Sequence, residues 1–408
     1  MGLAQKLFKG DRIVWIVYAV LCIISLIEVF SATSTLAYHA QNPFGPIARH
    51  ASFLIMGTVG VIFLHNFHYK YTKILGVVVF FIALILLILT PLVGVRVNNA
   101  SRWVELLGIQ FQPSEFAKLA MIILTAYILS KGQKTKEKLD VSFWLIMILT
   151  LGFSVMILVE NLSTALMLCV VIYLMMFIGR VNWKKMLIVG GTVALCAVIA
   201  LLLLKFVNTV PGMPRWETWQ NRVYGQELKV TDPAFKITDA NYQKSHAKIA
   251  IANGTFFGKL PGNSAQRDFL PQAYSDFIYA IIIEEMGWIG AIIIPFLYII
   301  LLYRALKIAR KCTKVFPMLL VMGSALIVSF QAFINMIVAV GLGPVTGQPM
   351  PLVSRGGTST IITCIYFGII LSVSRFGVPN QGNEDEYLDE IEENIKDQAL
   401  ETSQEYGV

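Results

Sequence analysis

Ten apolar runs dominate the sequence, at roughly 13–31, 51–66, 74–95, 114–130, 142–159, 162–179, 186–206, 277–303, 316–341 and 358–375. Each approaches the roughly 20 apolar residues that a helix needs to cross a bilayer. Charge is correspondingly scarce. Only 14% of residues are charged and 56% are apolar, whereas a soluble domain carries about 25% charged residues. That balance excludes a cytosolic enzyme, a disordered chain and a secreted disulfide scaffold. It specifies an all-α polytopic membrane protein of about ten transmembrane helices.

The formal charge of +8 does not point to nucleic acid, because the cations sit in short clusters between apolar runs, as topology signals do. One set of loops holds the clusters Lys6–Arg12, Lys70–Lys73, Lys131–Lys138, Arg180–Lys185 and Arg304–Lys314. The short loops of the other set hold only Arg49, Arg96, Arg102 and Arg355. The bias predicts an even number of spans with both termini in the cytoplasm. Residues 1–12 are then a cytoplasmic N-terminus, and the first apolar run is a retained helix, too long for a signal peptide. Residues 13–378 form a single transmembrane domain with one large extracytoplasmic loop at about 208–275. Residues 379–408 are an acidic cytoplasmic tail of disordered composition. Within the long loop, Tyr242 to Ile251 reads as an amphipathic helix lying on the bilayer. Of the cysteines, Cys22, Cys169, Cys196 and Cys364 lie in apolar runs and Cys312 in a basic loop, with neither disulfide nor zinc spacing.

Charges that survive at membrane depth cost several kcal/mol and mark function by default. In Phe111-Gln112-Pro113-Ser114-Glu115-Phe116-Ala117-Lys118, proline suits a first helical turn. Glu115 and Lys118, three apart, share a face. They either hold helices together or line an outward polar cavity. Arg102-Trp103 upstream is a cation and an aromatic at the interface. Asp276 stands where the long loop meets the eighth span, as an N-cap or as a carboxylate suited to general-base work. Glu284 lies about 12 Å further along that helix. It and Glu285 read as packing or gating groups. The Gly/Pro-rich stretch 341–358 is irregular backbone of the kind tolerated at depth only where it is buried in protein or lines a cavity. Within it Ser354, Arg355 and the Gly356-Gly357 amides are placed to hold an anion. No Walker loop, dinucleotide fingerprint, HExxH or Asp-x-Asp pair is present.

Taken in order, these pieces resemble the SEDS family of peptidoglycan glycosyltransferases across nearly the whole chain. The order is Arg102-Trp103, Gln112-Pro113-Ser114-Glu115 with Lys118, a long outer loop, Asp276-Phe277-Ile278, Glu284-Glu285, then Asn335 through Gly357. The wording of Pro214-Arg215-Trp216 and Leu270-Pro271 is closer to the division branch than to the elongation branch. Two departures stand out. The family's usual Pro-Asp-Leu-Gly-Thr is here Glu160-Asn161-Leu162-Ser163-Thr164, and its usual Ser-Tyr-Gly-Gly is Ser354-Arg355-Gly356-Gly357.

The resemblance implies polymerisation of lipid II into β-1,4 glycan strands on the outer face of the bacterial cytoplasmic membrane, with undecaprenyl pyrophosphate leaving. Asp276, matching the family's essential Asp, would be the base. Arg102 and Arg355 would steady the pyrophosphate, and Lys118 would assist or simply neutralise Glu115. Trp103, Glu115, Ser354 and Gly356 complete the substrate-binding candidates. A divalent cation, magnesium or manganese, is an open requirement, with no metal ligands identified. The implied partners are a class B penicillin-binding transpeptidase and other divisome membrane proteins, with no nucleic acid. Two other readings are a lipid II flippase, which needs a polar path to both faces, and a non-catalytic scaffold.

Overall fold

The structure is a computed structural model that describes residues 9–33, 42, 44–97, 100–106, 109–207, 216, 219–220, 237, 241–270 and 273–378. Much of the 208–240 part of the outer loop, and the acidic tail from 379, lie outside the described residues. The helices are α1 Arg12–Ala32, α2 Gly45–Asn66, α3 Thr72–Val93, α4 Pro113–Gly132, α5 Lys136–Glu160, α6 Leu162–Ile178 and α7 Trp183–Phe206. They continue with α8 Tyr242–Asn253, α9 Ile278–Lys311, α10 Val315–Ala339 and α11 Thr358–Phe376. Among the described residues nine are long and apolar enough to cross a membrane, and α6, at 17 residues, is a shorter apolar helix. All ten expected spans are therefore helical, with ends shifted by a few residues.

Local chemistry sets the helix starts. Asp11 accepts bonds from the Ile13 and Val14 amides at α1, Thr135 from Lys138 at α5, and Asn182 from Lys184 at α7. At α6 the cap is Asn161, which accepts from the Ser163 and Thr164 amides. The amide thus does the capping work that a carboxylate would do at this departure from the family pattern.

Burial divides the bundle into a centre and a rim. Helix α10 buries Leu319, Leu320, Val321, Ala325 and Ala332 among many others, and packs on α4, α6, α9 and α11. Helix α7 buries only Met186 and Leu204 and presents the rest of its apolar surface outward, as a lipid-facing helix does. Helices α2 and α11 run parallel in close contact: a Cβ on Gly57 would meet Cys364 Sγ at 2.4 Å and one on Gly368 would meet Leu64 Cβ at 2.9 Å. The Tyr18 hydroxyl fastens the same pair, bonding Thr58 Oγ1 at 2.7 Å and Cys364 Sγ at 3.4 Å.

Two features differ from the sequence expectation. The segment before α4 is a small antiparallel sheet rather than plain loop: β1 Val95–Val97, β2 Ala100–Leu106 and β3 Ile109–Phe111, with Val95 opposite Trp103 and Val104 opposite Phe111. Its β-branched and aromatic residues suit a pleated surface. The second difference is in α9, which is not one straight span. Gly287 has φ 62° and ψ −151°, breaking the helix after Met286. Only glycine adopts this backbone readily, and any Cβ there would meet the Thr255 carbonyl at 2.3 Å.

Candidate active site

The site is built by lacing two irregular segments together. Residues 273–277 form a run of turn ahead of α9, and residues 341–357 connect α10 to α11 without regular structure. Neither can satisfy its own backbone groups, so each must borrow partners. Ser354 Oγ donates to the Ser275 carbonyl at 2.6 Å, and the Arg355 amide donates to the Tyr274 carbonyl at 2.9 Å. Asn335 Nδ2, from α10, donates to both the Asp276 carbonyl at 3.0 Å and the Gln348 carbonyl at 2.8 Å. Gln348 Nε2 in turn reaches Thr164 Oγ1 at the start of α6. Lower down, Tyr298 donates to the Pro351 carbonyl and Ser25 to that of Val353. The Gly/Pro-rich segment is thus buried in protein, as its composition requires.

Asp276 and Arg355 are brought together by this lacing. Asp276 does not cap α9: the N-cap is Phe277, with no side-chain cap bond. Its carboxylate Oδ1 instead accepts from Ser275 Oγ at 3.0 Å, in a half-buried position. The Arg355 guanidinium lies over the Tyr274 ring, 5.2 Å from its centroid. Burial draws its pKa below the usual arginine value; Tyr274 opposes that shift and Arg49 adds to it. An arginine nevertheless stays protonated at any working pH, so a carboxylate and a fixed cation stand on adjoining segments.

Four other intramembrane charges, Glu115, Lys118, Glu284 and Glu285, are buried against internal partners. Lys118 is fully buried, pairing with Glu115 Oε1 at 2.7 Å and donating to Gln331 Oε1 at 2.7 Å. Gln331 Nε2 donates on to the Pro349 carbonyl at 3.0 Å. The pair therefore ties α4 to α10 and supports the Gly/Pro-rich segment from beneath. Glu284 and Glu285 close the short helix ahead of the Gly287 break, and both are fully buried. Glu284 accepts from Lys259 Nζ at 2.7 Å and Ser264 Oγ; Glu285 accepts from Ser31 Oγ and the Ser264 amide. They strap residues 259–266 onto α9 and α1. Residues Tyr242–Asn253 are helical, and this helix, α8, buries Ala247 and Ala250 and packs against α9.

Of the remaining candidates, Trp103 is half-buried on β2, beside Arg102, whose side chain lies outside the description. Thr358 Oγ1 donates to the Gln110 carbonyl at 3.1 Å, fixing the sheet to the start of α11 and so to the Arg355 segment. Gln331 is not among the sequence candidates, and Asn335, Gln348 and Tyr274 enter there only as parts of longer motifs, with no role of their own. Their common signal is an amide or phenol inside or beside an apolar run, where an unpaired polar group is costly. Among the described residues no group of three or more His, Cys, Asp or Glu side chains is placed to hold a metal ion.

Comparison with known proteins agrees with this architecture. Residues 11–378 match the FtsW/RodA/SpoVE model, described as cell cycle protein. The match covers the whole helical bundle, and the chain belongs to this family, the SEDS family of membrane glycosyltransferases. It is 32% identical over 370 residues to a protein of Geobacter sp. (strain M18) named "Probable peptidoglycan glycosyltransferase FtsW", covering 89% of this chain and 96% of the relative. A protein of the same name from Trichlorobacter lovleyi is 31% identical, covering 90% and 94%. Among solved structures, a chain of a peptidoglycan synthase complex that coordinates polymerisation and crosslinking superposes with a TM-score of 0.69 at 24% identity, covering 90% of this chain and 98% of that one. The rod shape determining protein RodA of Thermus thermophilus gives 0.64 at 23%, covering 92% and 100%. The protein is accordingly a multi-pass protein of the bacterial cytoplasmic membrane and an enzyme of peptidoglycan synthesis.

Proposed function

We propose that the chain polymerises lipid II on the outer face of the membrane during cell division, with Asp276 as general base. The observation that carries the reading is that a half-buried carboxylate and a half-buried guanidinium stand on two segments laced to each other, while Glu115, Lys118, Glu284 and Glu285 have internal partners. Asp276 takes the proton from the attacking sugar hydroxyl as its oxygen bonds the anomeric carbon of the neighbouring unit. The bond from that carbon to the pyrophosphate oxygen breaks, and undecaprenyl pyrophosphate leaves. Arg355, with Arg102 from the sheet, meets the charge that develops on the leaving group. If the reaction uses a divalent cation, Asp276 would be the carboxylate to hold it, and the ion would supply positive charge toward the leaving pyrophosphate. The division role follows the FtsW-named relatives, and a class B penicillin-binding transpeptidase is the partner that would cross-link the product.

The test is labelled lipid II supplied to the purified protein together with its transpeptidase. Wild type makes glycan chains and Asp276→Asn makes them about 10²–10⁴-fold more slowly. Equal rates from the two proteins would remove Asp276 as the base. Transfer of lipid II across vesicles without glycan formation would favour the flippase reading.

A further inference from the structure

The bend that leads into Ser354 and Arg355 is strained at its centre. Leu352 has φ 64°, in the left-handed region, and its side chain is buried. A bulky residue rarely adopts that backbone. The bend closes around it: the Ser354 amide donates to the Met350 carbonyl at 2.9 Å, and the Met350 amide donates to Ser354 Oγ at 2.8 Å. Backbone in such a region persists only where its surroundings over-determine it.

Two clamps supply that constraint, one on each side of Leu352. Tyr298, from the lower part of α9, donates to the Pro351 carbonyl at 2.5 Å. Ser25, from α1, donates to the Val353 carbonyl at 3.0 Å. Ser25 Oγ also lies 2.8 Å from His50 Nε2, on α2. A hydroxyl has one hydrogen to give, and Ser25 gives it to Val353. His50 is therefore the donor in the second bond, with its hydrogen on Nε2. The other ring nitrogen, Nδ1, is then the bare one, and it has no hydrogen-bond partner. Both side chains are buried, His50 at 1% exposure and Ser25 at 0%, so the bond is shut off from water. The relay thus runs from imidazole to hydroxyl to the carbonyl of the peptide unit that enters Ser354. Ser354 and Arg355 are the residues laced to Ser275 and Tyr274, next to Asp276. The charge of Arg355 reaches His50, so the imidazole stands close behind that segment.

We infer that His50 is a positioning residue for glycosyl transfer: through Ser25 it holds the Val353 carbonyl against the strain at Leu352, and so keeps Arg355 beside Asp276. The inference rests on the polymerase reading for the roles of Asp276 and Arg355, but not for the clamp itself. With the clamp in place the bend is held, and Arg355 stays over the Tyr274 ring on the adjoining segment. Without it Leu352 relaxes toward an ordinary φ, which moves the Val353 carbonyl and the Arg355 amide that follows. The place of the donor matters as well as its polarity. A glutamine amide reaches as far as Nε2 does, and an asparagine amide only as far as Nδ1.

The experiment uses the full-length purified protein with its transpeptidase and labelled lipid II. Thermal melting is the folding control, and amide hydrogen exchange of residues 350–358 is a readout independent of activity. His50→Leu and Ser25→Ala should each lower kcat about tenfold or more, as a small misplacement of a reacting group does, with KM for lipid II within about threefold of wild type. Each should also speed exchange of the Arg355 amide by about tenfold or more, because local opening becomes easier. His50→Gln should stay within about threefold of wild type in both readouts, and His50→Asn should behave as His50→Leu does. Combining His50→Leu with Ser25→Ala should lose no more than the worse single variant, since the two residues act as one unit. Ser25→Ala, the smaller change, decides the matter if His50→Leu fails to fold. Unchanged exchange at Arg355 in folded Ser25→Ala protein overturns the clamp. So do additive losses in the double variant, or equal losses from His50→Gln and His50→Asn, which would make His50 a packing residue only. Faster exchange with an unchanged kcat overturns the positioning role. Exchange that follows the expectation in a protein whose wild type makes no glycan keeps the clamp and removes the polymerase reading.

Discussion

Two charged constellations at the same end of the bundle have opposite fates. The Glu115–Lys118 pair is closed: at 2% and 0% exposure its charges answer each other, and Gln331 uses a further hydrogen of the ammonium. The Asp276–Arg355 region is open, with both side chains half-buried and the cation left without a carboxylate among the described residues. In a membrane protein both cost desolvation. The first recovers it from its own partner, so its value is structural. The second leaves charge to be met by something else, which is how a binding or catalytic group differs from a brace.

The comparison can be broken in four ways. The largest effect is expected at the open site: Asp276→Asn should lower glycan synthesis by about 10²–10⁴-fold, the usual share of a general base, with an unchanged melting temperature. A parallel loss of stability would make Asp276 a brace as well. At the closed site the expectation reverses. Lys118→Met leaves Glu115 buried and unpaired, and should cost about 3–5 kcal/mol of stability, read as a drop in thermal melting in detergent. Adding Glu115→Gln to that variant should restore most of the loss, because the stranded charge is gone. Failure of the double variant to recover would mean that the stranded Glu115 charge is not the source of the loss. Gly287→Ala should be destabilising by about 1–3 kcal/mol through its positive φ and its contact with the Thr255 carbonyl, measured by the same melt. The smallest effect is expected for Ser354→Ala, which removes one bond between the two segments. It should cost about 1 kcal/mol of stability, with glycan synthesis falling more than the melt because Asp276 is re-aimed.

How much of this was readable in advance varies with sequence distance. The ten spans follow from apolar run length, and Asp276, Arg355 and Glu115–Lys118 from the expense of charge at depth. The Gly/Pro density of 341–357 announced irregular backbone that needs protein around it. The partners of that backbone were not legible: Lys118 meets Gln331 across 213 positions, and Ser354 meets Ser275 across 79. Such pairings depend on which helices lie side by side, which no local pattern encodes. The Gly287 break was hidden for a different reason. A glycine before a tryptophan inside an apolar run reads as tolerated helix, and the φ it adopts is imposed by residues 255–258 folding onto it. The short sheet at 95–111 was masked by its brevity.

The break at Gly287 has a mechanical consequence. From Trp288 to Lys311 the lower part of α9 is already long enough, at about 1.5 Å per residue, to cross roughly 30 Å of hydrocarbon. The short helix above it is therefore free of the task of spanning, and its upper end is fastened to the 348–355 segment through Tyr274, Ser275 and Asp276. A push on the lower helix, such as a neighbouring transmembrane segment would apply, meets a joint at the glycine before it meets the carboxylate. Asp276 takes its position from the α10–α11 connection, and the spanning portion of α9 is tied to that same connection by Tyr298 at the Pro351 carbonyl and to the short helix by Tyr279 at the Ala291 carbonyl.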